Sequence, residues 1–80
     1  MVETRQAARL RVCKPALIER GGDTTRCTIR DISTTGAALQ FSDRIDKIPS
    51  VFTLTIPEHN LKLACRVVWR TSFRMGVTFD

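Results

Sequence analysis

The chain has 80 residues, of which 42% are hydrophobic, and its formal net charge at pH 7 is +5. This length suits one small domain, and the hydrophobic fraction excludes a wholly disordered chain. Ten of the basic residues are arginines and only three are lysines. Because arginine binds phosphate, carboxylate or guanine through two parallel hydrogen bonds, we expect a partner that contains phosphate. The alternative is a basic surface that only keeps the protein soluble.

Three widely spaced cysteines, Cys13, Cys27 and Cys65, form no C-x-x-C pair. An odd number without paired spacing argues against a disulfide framework and against a zinc site. We therefore predict buried free thiols in a reducing compartment. Since the sequence has neither a membrane-spanning apolar run nor a signal peptide, we predict a cytoplasmic protein without a membrane partner.

From about residue 10 onward, apolar residues alternate with other residues at a period of two, which is the pattern of β-strands. The sequences R-G-G-D at 20–23 and P-E-H-N at 57–60 predict tight hairpin turns, and 42–50 is predicted to be a polar loop. The predicted strands are residues 10–19, 24–32, 37–41, 51–56, 61–70 and 73–79. Short strands with polar turns favour an antiparallel barrel, which closes its own edges. The sequence therefore predicts an all-β, six-stranded antiparallel barrel.

The same alternation predicts which side chains face the interior. It places every aromatic side chain in the inward phase: Phe41, Phe52, Trp69, Phe73 and Phe79. Four arginines of the predicted strands are expected to be exposed, with an extension of a basic rim as the alternative: Arg11, Arg30, Arg70 and Arg74.

Nothing in the sequence assembles a catalytic site. The only histidine, His59, lies in a predicted turn, where a solvated surface role is the default. No nucleophile with a base, no set of metal ligands and no glycine-rich phosphate loop can be recognised. We therefore predict a protein that is not an enzyme and that has no metal and no cofactor.

The stretch Asp31-Ile32-Ser33-Thr34-Thr35-Gly36 ends a predicted strand. Asp31 and Ser33 are two residues apart, so their side chains are expected on one face, with Ile32 in the core. A glycine at position 36 permits a positive φ or the close approach of a ligand to the backbone. This arrangement suits a binding site; the alternative is that Asp31 and Ser33 only cap a turn.

Near the start of the chain, Arg5 and Arg9 stand four residues apart in R-x-x-x-R. Taken alone, the pair could begin a helix, form a solvated basic tail or make half of a binding site. Together with D-x-S-x-x-G at 31–36, and with L-A-C-R-V-V-W-R and R-M-G-V-T-F near the end, the chain resembles the PilZ domain family. This resemblance covers nearly the whole chain and divides it into a flexible ligand-binding arm, residues 1–9, and a PilZ-like barrel, residues 10–80.

The resemblance implies a receptor for the bacterial second messenger cyclic di-GMP. Arg5 and Arg9 would clamp the ligand, Asp31 would accept hydrogen bonds from guanine, Ser33 would add one, and Gly36 would let the ligand approach. Trp69 is assigned either to the core or, by the resemblance, to guanine contact at the barrel rim. Ordering of the arm would create or hide a surface for a downstream protein partner.

Two other functions remain open from the sequence. The first is a small barrel that binds single-stranded nucleic acid on exposed aromatic side chains, which the inward phase of the aromatic residues argues against. The second is a PilZ-like barrel that acts only as a protein-interaction module, which the intact pair of motifs argues against.

Overall fold

The computed structural model describes residues 10–45 and 47–80. Six antiparallel strands form a closed barrel in the order β1-β2-β3-β6-β5-β4. The strands are β1 (Leu10–Arg20), β2 (Asp23–Ile32), β3 (Gly36–Gln40), β4 (Val51–Ile56), β5 (Leu61–Arg70) and β6 (Arg74–Phe79). Pairing of β1 with β4 closes the barrel, as in Ile18 opposite Leu54. The predicted all-β six-stranded barrel is confirmed.

Both predicted hairpins form, and their turn residues explain how. Arg20 pairs with Asp23, so only Gly21 and Gly22 lie between β1 and β2. Both glycines have positive φ, +54° and +92°, which residues with a Cβ adopt only with strain. Between β4 and β5 the chain makes one 3-10 turn, Pro57–His59, followed by Asn60 with a φ of 52°. Asparagine tolerates this left-handed conformation better than most residues do.

The core fills the barrel with side chains from every strand and from one loop. Its buried members are Ala16, Ile18, Cys27, Ile29, Ala37, Leu39, Phe41, Ile45, Ile48, Phe52, Leu54, Ile56, Cys65, Met75 and Val77. Ile45 and Ile48 belong to the segment that we predicted to be a polar loop. Each contributes about 1.5–3 kcal/mol of burial free energy. The loop therefore contributes to the core.

Arg70 holds this loop against the barrel. Its guanidinium Nη1 donates hydrogen bonds to the backbone oxygens of Ile45 at 3.1 Å and Ile48 at 2.7 Å. The predicted exposed position of Arg70 is wrong, because this side chain is partly buried at the end of the core. Its register partner is the fully buried Met75. Arg70 is therefore a structural residue.

A β-bulge in β5 explains this position. Val67 pairs with Val77, whereas Trp69 pairs with Gly76, so Val68 is an extra residue without a partner on β6. One extra residue reverses the alternation beyond it. Trp69 consequently lies on the outside with 46% of its surface exposed, and its predicted place in the core is wrong.

The prediction for Phe73 is also wrong. Its side chain is 45% exposed, because it belongs to the turn between β5 and β6 and β6 begins only at Arg74. Phe41 and Phe52 are buried, and Phe79 packs against the core as predicted.

The three thiols differ in their surroundings. Cys13 is exposed, so the prediction of a buried thiol is wrong there, whereas Cys27 and Cys65 are buried as predicted. Burial, with a smaller contribution from Cys65, raises the pKa of Cys27 to about 12, and burial raises the pKa of Cys65 to about 11. Among residues 10–45 and 47–80, no helix is long and apolar enough to cross a lipid bilayer.

Candidate binding site

A lateral row of paired residues crosses five strands on the outside of the barrel. Arg11 on β1 pairs with Asp31 on β2, and Asp31 pairs with Ala38 on β3. Ala38 pairs with Gly76 on β6, and Gly76 pairs with Trp69 on β5. Paired residues of antiparallel strands share one face, so these five positions form one surface, which we name the cross-strand row. It runs from a cation and a carboxylate to an indole.

The middle of the cross-strand row is a shallow depression, because its residues have little or no side chain above the sheet. Ala38 and Gly76 have almost no side chain between Asp31 and Trp69. Asp31 and Trp69 are three strand intervals apart, which is roughly 14 Å across the sheet at about 4.8 Å per interval. The row therefore offers a shallow floor between a hydrogen-bonding group and an aromatic ring. Small residues at two outward positions were a signal that our sequence interpretation did not use.

The indole of Trp69 covers Gly76. A Cβ added at Gly76 would meet the indole Nε1 and would lie 2.9 Å from the indole Cδ1. Gly76 is accordingly buried although it faces outward. The absence of a side chain at this position lets the tryptophan lie against the sheet.

At the other end of the row, Asp31 belongs to a polar cleft of about 290 Å³. The cleft is lined by Arg11, Val12, Arg30, Asp31 and Arg74, and we name it the arginine cleft. Three of the four strand arginines that we singled out from the sequence therefore lie together, and only Arg70 is elsewhere.

Bulges explain why Arg30 and Asp31 both lie outside the core. On the β3 side, Ile29 pairs with Leu39 and Asp31 with Ala38, so Arg30 is an extra residue. The β1–β2 ladder is irregular at the same level, between Arg11 and Lys14. In a regular strand the neighbour of an outward residue points inward, but here Arg30 is exposed. Two consecutive polar side chains can thus reach one cleft.

Ser33 caps the turn between β2 and β3. Its hydroxyl accepts hydrogen bonds from the backbone N–H groups of Thr35 and Gly36, both at 3.2 Å. Its backbone N–H donates to the Gly36 oxygen at 2.8 Å. The turn-capping alternative therefore describes Ser33 well, and Ile32 packs against the core as expected.

The close approach of the neighbouring strand β6 explains why residue 36 is a glycine. A Cβ at this position would collide with the backbone oxygen of Val77 and would lie 3.3 Å from the Cα of Thr78. The described residues with positive φ are Gly21, Gly22 and Asn60, so of the two alternatives left open for Gly36 a positive φ does not apply. The requirement for glycine comes from the close approach of β6.

Arg5 and Arg9 lie outside the described residues, as does the whole predicted arm. Of the other predicted site residues, the structure places Asp31 and Trp69 on one face in the cross-strand row. It places Ser33 in the turn after β2 and Gly36 at the start of β3. A second cleft, of about 350 Å³, lies beside Pro15, Cys27 and Pro57 and contains none of the predicted site residues.

The sequence of this chain matches the model of a known protein family. The model of the PilZ domain matches residues 3–80. The chain belongs to the PilZ domain family. The matched residues span all six strands, and the match confirms the predicted family. PilZ domains form a family of cyclic di-GMP receptors. No curated protein matches the chain.

Proposed function

We propose that this PilZ domain is a non-catalytic cytoplasmic receptor for cyclic di-GMP. The observation that carries the proposal is the cross-strand row, which joins a carboxylate, a low floor and an exposed indole on one face. Cyclic di-GMP combines flat purines with two phosphates, so a ligand that lies across the floor meets groups suited to each part.

The chemistry of each group matches a part of the ligand. The carboxylate of Asp31 accepts hydrogen bonds from the N1–H and N2–H₂ groups of one guanine, which are charge-assisted and contribute about 1.5–3 kcal/mol each. Trp69 stacks on a purine face, a contact worth about 1–3 kcal/mol per base in single-stranded nucleic acid complexes. Ser33 and Gly36 support this binding by shaping the turn beside Asp31, and Ser33 adds a hydrogen bond to the ligand.

Residues 1–9 act as the ligand-binding arm in this proposal, and residues 10–80 form the domain that receives it. Arg5 and Arg9 of the R-x-x-x-R motif bind the phosphates and guanines of the ligand. Ordering the arm costs about 1–2 kcal/mol for each residue that is fixed, and the charge-assisted contacts, together with purine stacking on Trp69, offset part of this cost. The ordered arm changes the surface that a downstream protein partner meets.

Titration calorimetry with purified protein and cyclic di-GMP tests this function. We expect roughly micromolar affinity, which corresponds to about −8 kcal/mol. Arg5→Ala, Arg9→Ala and Asp31→Ala should each weaken binding about tenfold or more, since each removes over 1.4 kcal/mol. Undetectable binding of the wild-type protein at high micromolar ligand would refute the receptor proposal.

One observation favours a second candidate function, the binding of single-stranded nucleic acid. The argument against it from the sequence required inward aromatic residues, but Trp69 and Phe73 are both almost half exposed. Exposed aromatic rings on a basic barrel are the stacking surface that such proteins use. Oligonucleotide binding that weakens steeply with salt, without competition from cyclic di-GMP, would favour this candidate over the receptor.

A further inference from the structure

We infer that the outer face of β4 and β5 is a contact surface for a second copy of this chain. Two exposed apolar side chains lie on this face, Val51 with 56% and Val68 with 65% of its surface accessible. Val51 pairs with Arg66, which is two residues before Val68 in β5, so the two valines are diagonal neighbours. Exposed apolar side chains that lie together mark contact sites, whereas isolated ones are ordinary. We name the outer face of β4 and β5 the valine face.

The bulge in β5 produces this exposure. Val68 is the extra residue of the bulge, and both it and the next residue, Trp69, are exposed. A regular strand would direct one of these two consecutive side chains into the core. The bulge therefore adds an apolar side chain to the outside of the barrel, beside Val51.

Below the valines, the valine face is flat. Thr53 of β4 pairs with Ala64 of β5, and both have short side chains. On the other side of Ala64, the backbone N–H of Asp80 donates a hydrogen bond to the Ala64 oxygen at 2.9 Å. A sheet face with short side chains can approach another sheet face closely. The shape of this surface thus suits a broad partner surface of the same kind.

The charges on the valine face are of both signs. Arg66 forms an ion pair with Asp80, and Lys62 forms one with Glu19, each at 3.7 Å. This distance is longer than a hydrogen bond, so all four groups retain hydrogen-bonding capacity for a partner. The Arg66 and Asp80 side chains are also accessible, at 62% and 41%. A surface with exposed cations and carboxylates in equal number is complementary to a second copy of itself.

The rest of the surface explains why a second copy would bind here. The chain carries a net charge of +5, so two copies repel each other on average. Two clefts elsewhere each combine three basic residues with one acidic residue: the arginine cleft, and a cleft of about 330 Å³ that contains Arg20, Arg44, Lys47 and Asp43. An acidic partner would favour those clefts. On the valine face the charges balance, so two basic chains can approach there.

The contact that follows is isologous, with the same face contributed by both copies. The valines of one copy pack against the valine face of the other, and Arg66 of each copy pairs with Asp80 of the other. Because a contact of this size lies below the roughly 1,200 Å² of stable interfaces, the dimer is weak and depends on protein concentration.

Sedimentation equilibrium of the full chain, without any nucleotide, tests the inference. We expect the average mass to rise above the 9.0 kDa of one chain at protein concentrations of about 100 μM and higher. Val51→Ser and Val68→Ser should each weaken association roughly tenfold, since each removes apolar surface from the contact. Leu10→Ser, a similar change at a side chain of β1 that is 63% exposed, should leave association unchanged.

An exchange of charges tests the pairing between the copies. Arg66→Asp and Asp80→Arg should each be monomeric alone, because like charges then meet across the contact. An equimolar mixture of the two variants should associate again, since one presents two carboxylates where the other presents two guanidinium groups. A general effect of charge or of stability would not be reversed by mixing. Circular dichroism of each variant confirms that it is folded.

Three results would overturn the inference. The first is a wild-type mass that stays at 9.0 kDa up to a protein concentration of about 1 mM, which leaves the valine face to a different protein. The second is a mixture of the two charge variants that remains monomeric. The third is a loss of association in Leu10→Ser as large as in Val68→Ser. None of these results depends on cyclic di-GMP, so they are separate from the test of the receptor proposal.

Discussion

Trp69 lies on the outside of the barrel with its indole over Gly76, its register partner on β6. The contact depends on two features: Val68 is an extra residue in β5, and residue 76 of β6 is a glycine. Together they turn an apparent core tryptophan into one wall of a shallow surface. Because the chain has one tryptophan, its fluorescence can be used to test the proposed contact with the ligand.

Cyclic di-GMP should change the fluorescence of this protein, because a purine that stacks on Trp69 alters the surroundings of its single indole. The change should saturate with the same affinity that calorimetry measures. Trp69→Ala should bind about tenfold more weakly, since it loses a stacking contact of about 1–3 kcal/mol. Trp69→Phe retains a smaller ring and should lie between the two. An unchanged emission spectrum at saturating ligand would contradict the assigned contact.

Gly76→Ala should weaken ligand binding without a comparable loss of stability. The new methyl group takes the place of the indole ring, and the exposed Trp69 side chain can swing away from it. We expect a shifted tryptophan emission in the ligand-free protein and a several-fold loss of affinity. Ala64→Ser, a small change at an exposed position of β5 outside the cross-strand row, serves as the control. Wild-type emission and affinity in Gly76→Ala would show that the indole position is unimportant.

Gly36→Ala should destabilise the fold, because its Cβ would collide with backbone rather than with a movable side chain. Overpacking of this kind costs about 1–3 kcal/mol. Urea denaturation measures the free energy of unfolding, with Thr34→Ala in the same exposed turn as the control. Full stability of Gly36→Ala would mean that β6 does not approach as closely as described.

Arg70→Ala should lower the free energy of unfolding by about 1.5–3 kcal/mol, the range for hydrogen bonds to a charged group. Both backbone oxygens that Arg70 binds belong to the loop that buries Ile45 and Ile48. Cyclic di-GMP affinity should remain near that of the wild type once the variant is folded. Arg26→Ala removes an exposed arginine and should leave urea stability almost unchanged, within about 0.5 kcal/mol. Equal stability of both variants would contradict the structural role of Arg70.

Stability should fall as the pH rises above about 9. The ordinary thiol pKa is 9.0, and burial raises it to about 12 at Cys27 and to about 11 at Cys65. Between pH 9 and 11 the unfolded thiols lose their protons while the folded ones keep them, so each thiol contributes a decline of up to about 1.4 kcal/mol per pH unit. Urea denaturation across this range measures the slope. Replacement of Cys27 and Cys65 by alanine should flatten it, whereas Cys13→Ser should not; equal slopes in all three proteins would refute the assignment.

Much of the fold follows from local patterns. A period of two does not depend on distant contacts, so the strands were predicted within one or two residues of their observed bounds. The glycines at 21 and 22 and the P-E-H-N turn similarly predicted their hairpins, because positive φ and polar turn residues act locally. The motif at 31–36 located the turn after β2, although its serine and its glycine proved to have structural reasons of their own.

The sequence by itself thus determined the six strands, the barrel and the family. Only the tertiary structure decided that Trp69 faces outward, that Arg70 faces inward, and that three arginines share a cleft with Asp31. The physical reason is the same in each case. A bulge arises from the pairing between two strands. It exchanges the inward and outward positions of the later residues in its own strand, and the alternation within the sequence of that strand does not predict it. Likewise, Ile45 and Ile48 are buried because their loop packs against the core of the barrel. The sequence of the loop alone does not predict this contact.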